Sequence, residues 1–386
     1  MVFKKKYGVI GVLWVLIILT NILAWNSTAF CDWYISHIFP IWVESYGRLT
    51  GLFSFSVGEI MLVIFAALVV ILLLVGIAAA VCKVVYVIQK KKKKLPAGMR
   101  YYGFGMLVLF TCVGIIMTLN CFILFHGSTF PEKYMEERAQ KQYKLSELEE
   151  LRNVVVSECN RLSKLVERDE NGNVVYDGDM KAQAIQEMKR LGEIYPQLAG
   201  FYPSPKGFYF SGFFSQQKMM GYYFPFSMEA NYNTKMYITN TPGTLCHELA
   251  HLKGFIYEDE ANFIGYLACV DSEDIFFKYS GYLSVLYYLD NDYYAAIGEN
   301  RAIYEQQLPI SKQVRKDKVF LTPEAWAKVE EKAVLSTETV SKASNAFVET
   351  NLSLNGIADG MVSYSRVVEL LLKYYDTGSE EYGDHS

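Results

Sequence analysis

Three stretches of the 386-residue chain contain no Asp, Glu, Lys or Arg: Tyr7 to Trp25, Ile60 to Cys82 and Tyr101 to His126. At ~1.5 Å per residue, each is near or above the roughly 20 residues that cross a bilayer. Their lack of charge excludes a wholly soluble protein, and it weighs against an ion or proton pathway, where intramembrane ionisable residues are expected. Acidic residues are almost missing from positions 1–126, where 3 Asp+Glu face 11 Lys+Arg; the balance is +8 there and −12 over 127–386. That acidic second part argues against a nucleic-acid partner, which would need clustered Lys and Arg. Aromatic residues run through it, so it is not disordered. The seven cysteines include no C-x-x-C pair, which argues against a disulfide framework or a thiolate zinc knuckle. A Cys246–Cys269 bridge is geometrically possible but has nothing to support it.

What is present sets a topology. Lys4, Lys5 and Lys6 precede the first apolar run, and Lys83, Lys90 to Lys94 and Arg100 flank the connection between the second and third, whereas Asn26 to Gly58 holds only Arg48. Basic flanks stay cytoplasmic, so the N-terminus is expected inside and everything after His126 outside the cell membrane. The first run reads as an uncleaved anchor, with a cleaved signal peptide as the alternative. The expected fold class is an α-helical membrane anchor of three spans, at about 7–25, 60–82 and 103–125, followed by a mainly α, α+β domain over 127–386.

In the second part, Leu145, Leu148, Leu151, Val155, Leu162 and Val166 recur at helical steps, and Ser146 and Glu149 have capping-box spacing. A second helix is expected over Met180 to Ile194. Pro196, Pro203 and Pro205 then interrupt regular structure, and the aromatic segment Phe208 to Ile238 is the best strand region. Helical signals return from Thr241, with Thr322-Pro323-Glu324 a further helix start.

The chemistry lies in Thr241 to Asp271, which contains H-E-x-x-H at His247, Glu248 and His251. With Thr241 as N-cap and Pro242 at the first helical position, the two histidines fall one turn apart on one helix face and can share a metal ion. Zn²⁺ suits such a site, because it takes His and carboxylate ligands tetrahedrally and keeps a position for water. The Glu248 carboxylate would then act as general base toward that water. The bland alternative is a helix whose histidines merely cap or pair with neighbours.

No third histidine follows nearby: in H-E-x-x-H-x-x-G, completed here by Gly254, the next expected His is Tyr257. Glu258 and Asn262 are one turn apart on a following helix, so Glu258 could ligate while Asn262 touches a ligand imidazole. Glu260 is the alternative ligand, and acidic residues at a helix start also simply favour its dipole.

HELAH followed by EDEAN resembles the gluzincin class of zinc metallopeptidases, whose third ligand is a Glu on a following helix with Asp or Asn four residues later. The wider set of three N-terminal spans, GYYFPFSMEANYN, TLCHELAHLKGFIYEDEANFIGYLAC and VSYSRVVELLL is similar to an uncharacterised bacterial family of three-span membrane proteins with an HExxH domain. The resemblance implies a zincin-like domain that hydrolyses peptide bonds, with Gly221 to Asn233 holding an edge strand that aligns a peptide or protein substrate. An ordinary aromatic core strand is the alternative, and Glu229 and Asn231 then need no role.

Such a hydrolase needs an oxyanion donor; Tyr364 and Arg366 are the candidates, against a packing role for Tyr364 and a surface role for Arg366. The expectation is therefore a membrane-anchored zinc metallopeptidase. Its rival is a non-catalytic, zinc-stabilised membrane sensor or assembly protein. An intramembrane protease fits poorly, because the motif lies far along the chain from any span. Substrate identity and oligomeric state are not readable from the residues.

Overall fold

A computed structural model describes residues 2–90, 94–135, 142–354 and 364–378. The described chain is mostly helical, and three of its helices are long and apolar enough to cross a membrane. These are α1 (Val2–Asn26), then, after the short helix α2 (Thr28–His37), α3 (Val57–Ile88) and α4 (Ala97–Met117), which irregular turns extend to His126. Large apolar side chains such as Val12, Leu73 and Ile77 stay exposed on them, as lipid-facing residues do. Polar residues join the first span to the third: Trp14 Nε1 donates to Thr111 Oγ1 at 3.1 Å and Asn21 Nδ2 to Thr118 Oγ1 at 2.9 Å.

The remaining elements are helices α5 (Leu145–Leu162) and α6 (Met180–Ile194), three short strands, and helices α7 (Thr241–His251), α8 (Glu258–Val270), α9 (Ile275–Ala296) and α10 (Tyr364–Gly378), with two further helices at Pro323–Glu331 and Thr337–Leu354 and shorter helical turns between. Strands β1 (Lys206–Gly207), β2 (Gly221–Phe224) and β3 (Glu229–Tyr232) form one sheet in the order β1-β3-β2. β1 runs parallel to β3, and β2 pairs antiparallel with it from Gly221 opposite Tyr232 to Phe224 opposite Glu229. β2 is thus an edge strand lying next to α7.

One apolar core joins these helices. Val155 and Cys159 of α5, Met188 of α6, Leu245 and Leu249 of α7, Phe263 and Leu267 of α8, Phe277 of α9 and Leu371 of α10 all belong to it. Each such buried side chain contributes about 1.5–3 kcal/mol relative to exposure. The same cluster takes in Cys31, Tyr34 and Ile35 of α2 together with Phe39 and Val43. The division at residue 126 therefore marks a change of composition rather than the edge of a core, because the connection between the first two spans packs into the domain.

Three local expectations shift. The α5 helix starts at Leu145, where Glu147, not Glu149, reaches back to accept the Lys144 N–H at 2.7 Å. The aromatic segment forms only two four-residue strands, since a helical turn (Ser211–Gln216) intervenes and Phe208 stacks on Phe214 at 4.0 Å. Finally, α7 includes Thr241, with Asn240 as its N-cap. Cys246 and Cys269 both lie in the core as free thiols.

Candidate metal centre

The H-E-x-x-H residues occupy the last two turns of α7, with Leu245 and Leu249 anchored in the core behind them. The helix ends at His251, and the turn after it reaches Gly254, whose φ of +87° is a left-handed conformation that glycine adopts without strain. Its N–H closes on the His251 carbonyl at 3.0 Å. The chain turns back there, and α8 begins at Glu258 and lies against α7. Gly265 permits that closeness: a Cβ at this position would stand 2.9 Å from the Gly243 carbonyl oxygen and 3.2 Å from the His247 nitrogen.

The result brings four predicted residues together. His247 Nε2 lies 3.1 Å from His251 Nε2 and 3.2 Å from Glu258 Oε2, and His251 Nε2 lies 3.8 Å from Glu258 Oε1. Glu248 Oε1 is 3.8 Å from His247 Nε2, and one potential ligand atom each from His247, Glu248 and His251 falls within 4.8 Å of the others. Ligand atoms at two corners of a zinc tetrahedron stand about 3.3 Å apart for bonds of ~2.0 Å. Two of the three separations among His247, His251 and Glu258 are close to that.

Protonation fits a cation site as well. His251 Nδ1 lies 2.7 Å from the Phe255 carbonyl oxygen. A carbonyl can only accept, so Nδ1 holds the proton and Nε2 keeps its lone pair toward the cluster. Burial and the neighbouring His247 pull His251 down to about 4, leaving it neutral. Burial also lowers His247, but the hydrogen bond and charge of Glu258 outweigh it and raise the ring to about 9. Glu258 is half-exposed; burial opposes its ionisation, yet the two histidines hold it well below the usual carboxylate range. A cation held by these three donor atoms would displace the proton on His247. Asn262 contributes to raising His247, although His247 Nδ1 itself has no hydrogen bond of good geometry.

Glu248 differs from Glu258. It is buried, its Oε2 has no hydrogen-bond partner, and burial pushes its carboxyl up to about 8 against the lowering effect of His247. It presses on β2: a Cβ on Gly221 would lie 2.3 Å from Glu248 Oε1. Met220 accepts from the Asn233 N–H, so in the alternating antiparallel ladder Gly221 and Tyr223 turn their own N–H and C=O toward the free edge.

Other candidates go elsewhere. Glu260 is buried and accepts the Phe130 N–H, capping the Phe130–Tyr134 helical turn. Tyr257, where a third histidine would fall, donates to the Phe125 carbonyl at 2.6 Å at the end of the third span. Arg366 is exposed, and its charge acts on Tyr257 and Asp259, next to Glu258. The Tyr364 side chain lies outside the described residues.

Two acidic residues that carry the link between sheet and spans were not legible. Glu229, at the start of β3, accepts from Val57 N at 3.1 Å, Gly58 N at 2.7 Å and Ser227 Oγ at 2.6 Å, and pairs with the buried Lys206. Glu59, in the first turn of α3, accepts from Tyr209 N at 2.8 Å and Phe210 N at 3.0 Å. Glu59 follows Ser56 by three residues just before an apolar run, a spacing that marks a helix start but not its distant partner.

Fold and cluster together define a chain with three membrane-length apolar helices and a helical domain bearing a buried His-Glu-His group. The chain belongs to the family described as protein of unknown function DUF3810, whose model matches residues 34–372. No curated protein and no solved structure matches it.

Proposed function

We propose that the protein is a membrane-anchored zinc metallopeptidase whose helical domain lies outside the cytoplasmic membrane. The observation that carries this reading is the convergence of His247 Nε2, His251 Nε2 and the Glu258 carboxylate beside a buried Glu248 with an unpaired oxygen. The lysine-rich flanks of the spans support the orientation. His247, His251 and Glu258 would hold the ion, with Phe255 and Asn262 orienting the two rings. Bound zinc would supply Lewis acidity and lower the pKa of a water. Glu248 would take that water's proton and hand it to the leaving amine, a role suited to a carboxyl whose pKa burial has raised toward neutrality. The outward N–H and C=O groups of Gly221 and Tyr223 would align an extended peptide as an added strand.

The site is tested with the full chain in detergent, because a fragment from residue 127 would lack the Tyr34, Ile35, Phe39 and Val43 part of the core. Elemental analysis should find near one zinc per chain, and His247→Ala should lose it. Well-folded native protein that takes up no zinc when supplied with it would end the reading. Gly221→Ala should keep the metal and lower hydrolysis by about 10²-fold, since a displaced base costs roughly that much. Unchanged turnover in that variant would remove Glu248 from the base role.

A further inference from the structure

The candidate site stands on the ends of the membrane spans, although some 120 residues of sequence separate its motif from the last one. Phe224, at one end of β2, packs on Gly58 so closely that a Cβ there would be 2.6 Å from its ring. Gly221, at the other end, touches Glu248. Three residue steps at ~3.4 Å place Glu248 roughly 10 Å from the first turn of the second span. Asn120 of the third span donates to the Pro225 carbonyl at 2.9 Å, and Tyr257, next to Glu258, is bonded to Phe125.

Beside this junction lies an exposed aromatic surface. Tyr209 is 86% exposed, and Phe210, Phe213, Phe53 and Phe55 are about half-exposed. Neither stretch carries a charge: none occurs from Leu49 to Gly58, or from Gly207 to Gln217. The backbone of Tyr209 and Phe210 is tied to Glu59, in the first turn of the second span. This patch is therefore continuous with the lipid-facing surface of that helix, at the depth where interfacial aromatic belts form.

We infer that this aromatic surface lies in the bilayer interface, and that the site consequently acts on polypeptides tethered to the same membrane, at bonds within a few residues of the anchor. The first half rests on the docking geometry; the second half rests also on the peptidase reading above. The headgroup layer is only about 5–8 Å deep on each side, so a β2 edge roughly 10 Å from the span would meet a chain as it leaves the lipid surface.

Two measurements test this. Full-length protein in phosphatidylcholine liposomes carrying a diazirine phospholipid would be photolysed, digested and mapped by mass spectrometry. Adducts are expected on Tyr209 to Phe213 and on Leu52 to Phe55 as well as on the spans, but not around Val334, which is 96% exposed and belongs to no span. Spans labelled without the Tyr209–Phe213 segment would overturn the docking. Secondly, one quenched fluorescent peptide library would be offered to the liposomes free in solution, and joined to a palmitoyl anchor through three or through twenty residues. At least tenfold faster cleavage through the short tether is expected. Equal cleavage of free and tethered forms would overturn the substrate inference while leaving the peptidase reading intact. No cleavage in any format by zinc-loaded protein would overturn both, with the adducts still deciding the docking.

Discussion

Glu248→Gln is expected to lower hydrolysis by about 10²- to 10⁴-fold, the range that a positioned general base contributes, while zinc content stays at the native value. Gln has nearly the shape of Glu, and the native carboxylate has an oxygen without a hydrogen-bond partner, so the exchange leaves no new orphan from a broken bond. A buried carboxylate whose charged form is disfavoured by desolvation is not a stabilising group. The variant should accordingly unfold no more readily than native protein, which separates loss of turnover from loss of structure. The measurement pairs turnover of an anchored fluorescent peptide library with elemental analysis of the same sample. Metal lost equally in Glu248→Gln and His247→Ala would sink the division of roles. Metal retained with every cellular phenotype intact would favour the non-catalytic sensor or assembly reading.

The largest effect on stability is expected at Glu229→Ala. Glu229 is 1% exposed and its carboxylate serves two backbone N–H groups at the start of the second span, the Ser227 hydroxyl and the Lys206 ammonium. Removing it leaves Lys206, 4% exposed, with the Thr50 carbonyl at 2.7 Å as its remaining acceptor. Breaking one side of a buried ion pair costs about 3–5 kcal/mol, because the other charge stays buried without compensation. Denaturant unfolding of the full chain in detergent should show a loss of that size. Lys206→Met combined with Glu229→Gln should recover part of it, since both charges then leave together. A loss below about 1 kcal/mol in Glu229→Ala would mean that solvent reaches Lys206 and that the pair does not hold the sheet to the spans.

The parts of the fold that sequence made legible depend on short-range pattern. Spans follow from runs without charge, α6 occupies the residues expected of it and is capped in the structure by Asp179, and the histidine pair follows from the one-turn step in α7. The face shared with Asn262 favoured Glu258 over Glu260 but left Glu260 open as the alternative ligand. What escaped depends on contacts across long sequence distances. Glu229 bonds to Val57 and Gly58 from more than 170 positions away, and no periodicity records that. The Phe208–Ile238 segment read as the best strand region because aromatic residues favour strands; aromatic residues also pack the helical turn within it, where Phe208 stacks on Phe214. Glu260 is an acidic residue at a helix start whose partner, the Phe130 N–H, comes from a segment 130 residues earlier.

The sharing of one core between α2 and the later helices has a consequence for biosynthesis. Thr28–His37 is translated and threaded between the first two spans long before Gly254, which follows α7 and lies against Ile35, has been made. That face of Ile35 must wait, uncovered, until some 220 further residues, both later spans among them, have been made. Closure of the shared core is therefore timed by synthesis of the helices that follow the membrane segment. A cut after the third span would release a chain that has left part of its own interior behind in the membrane.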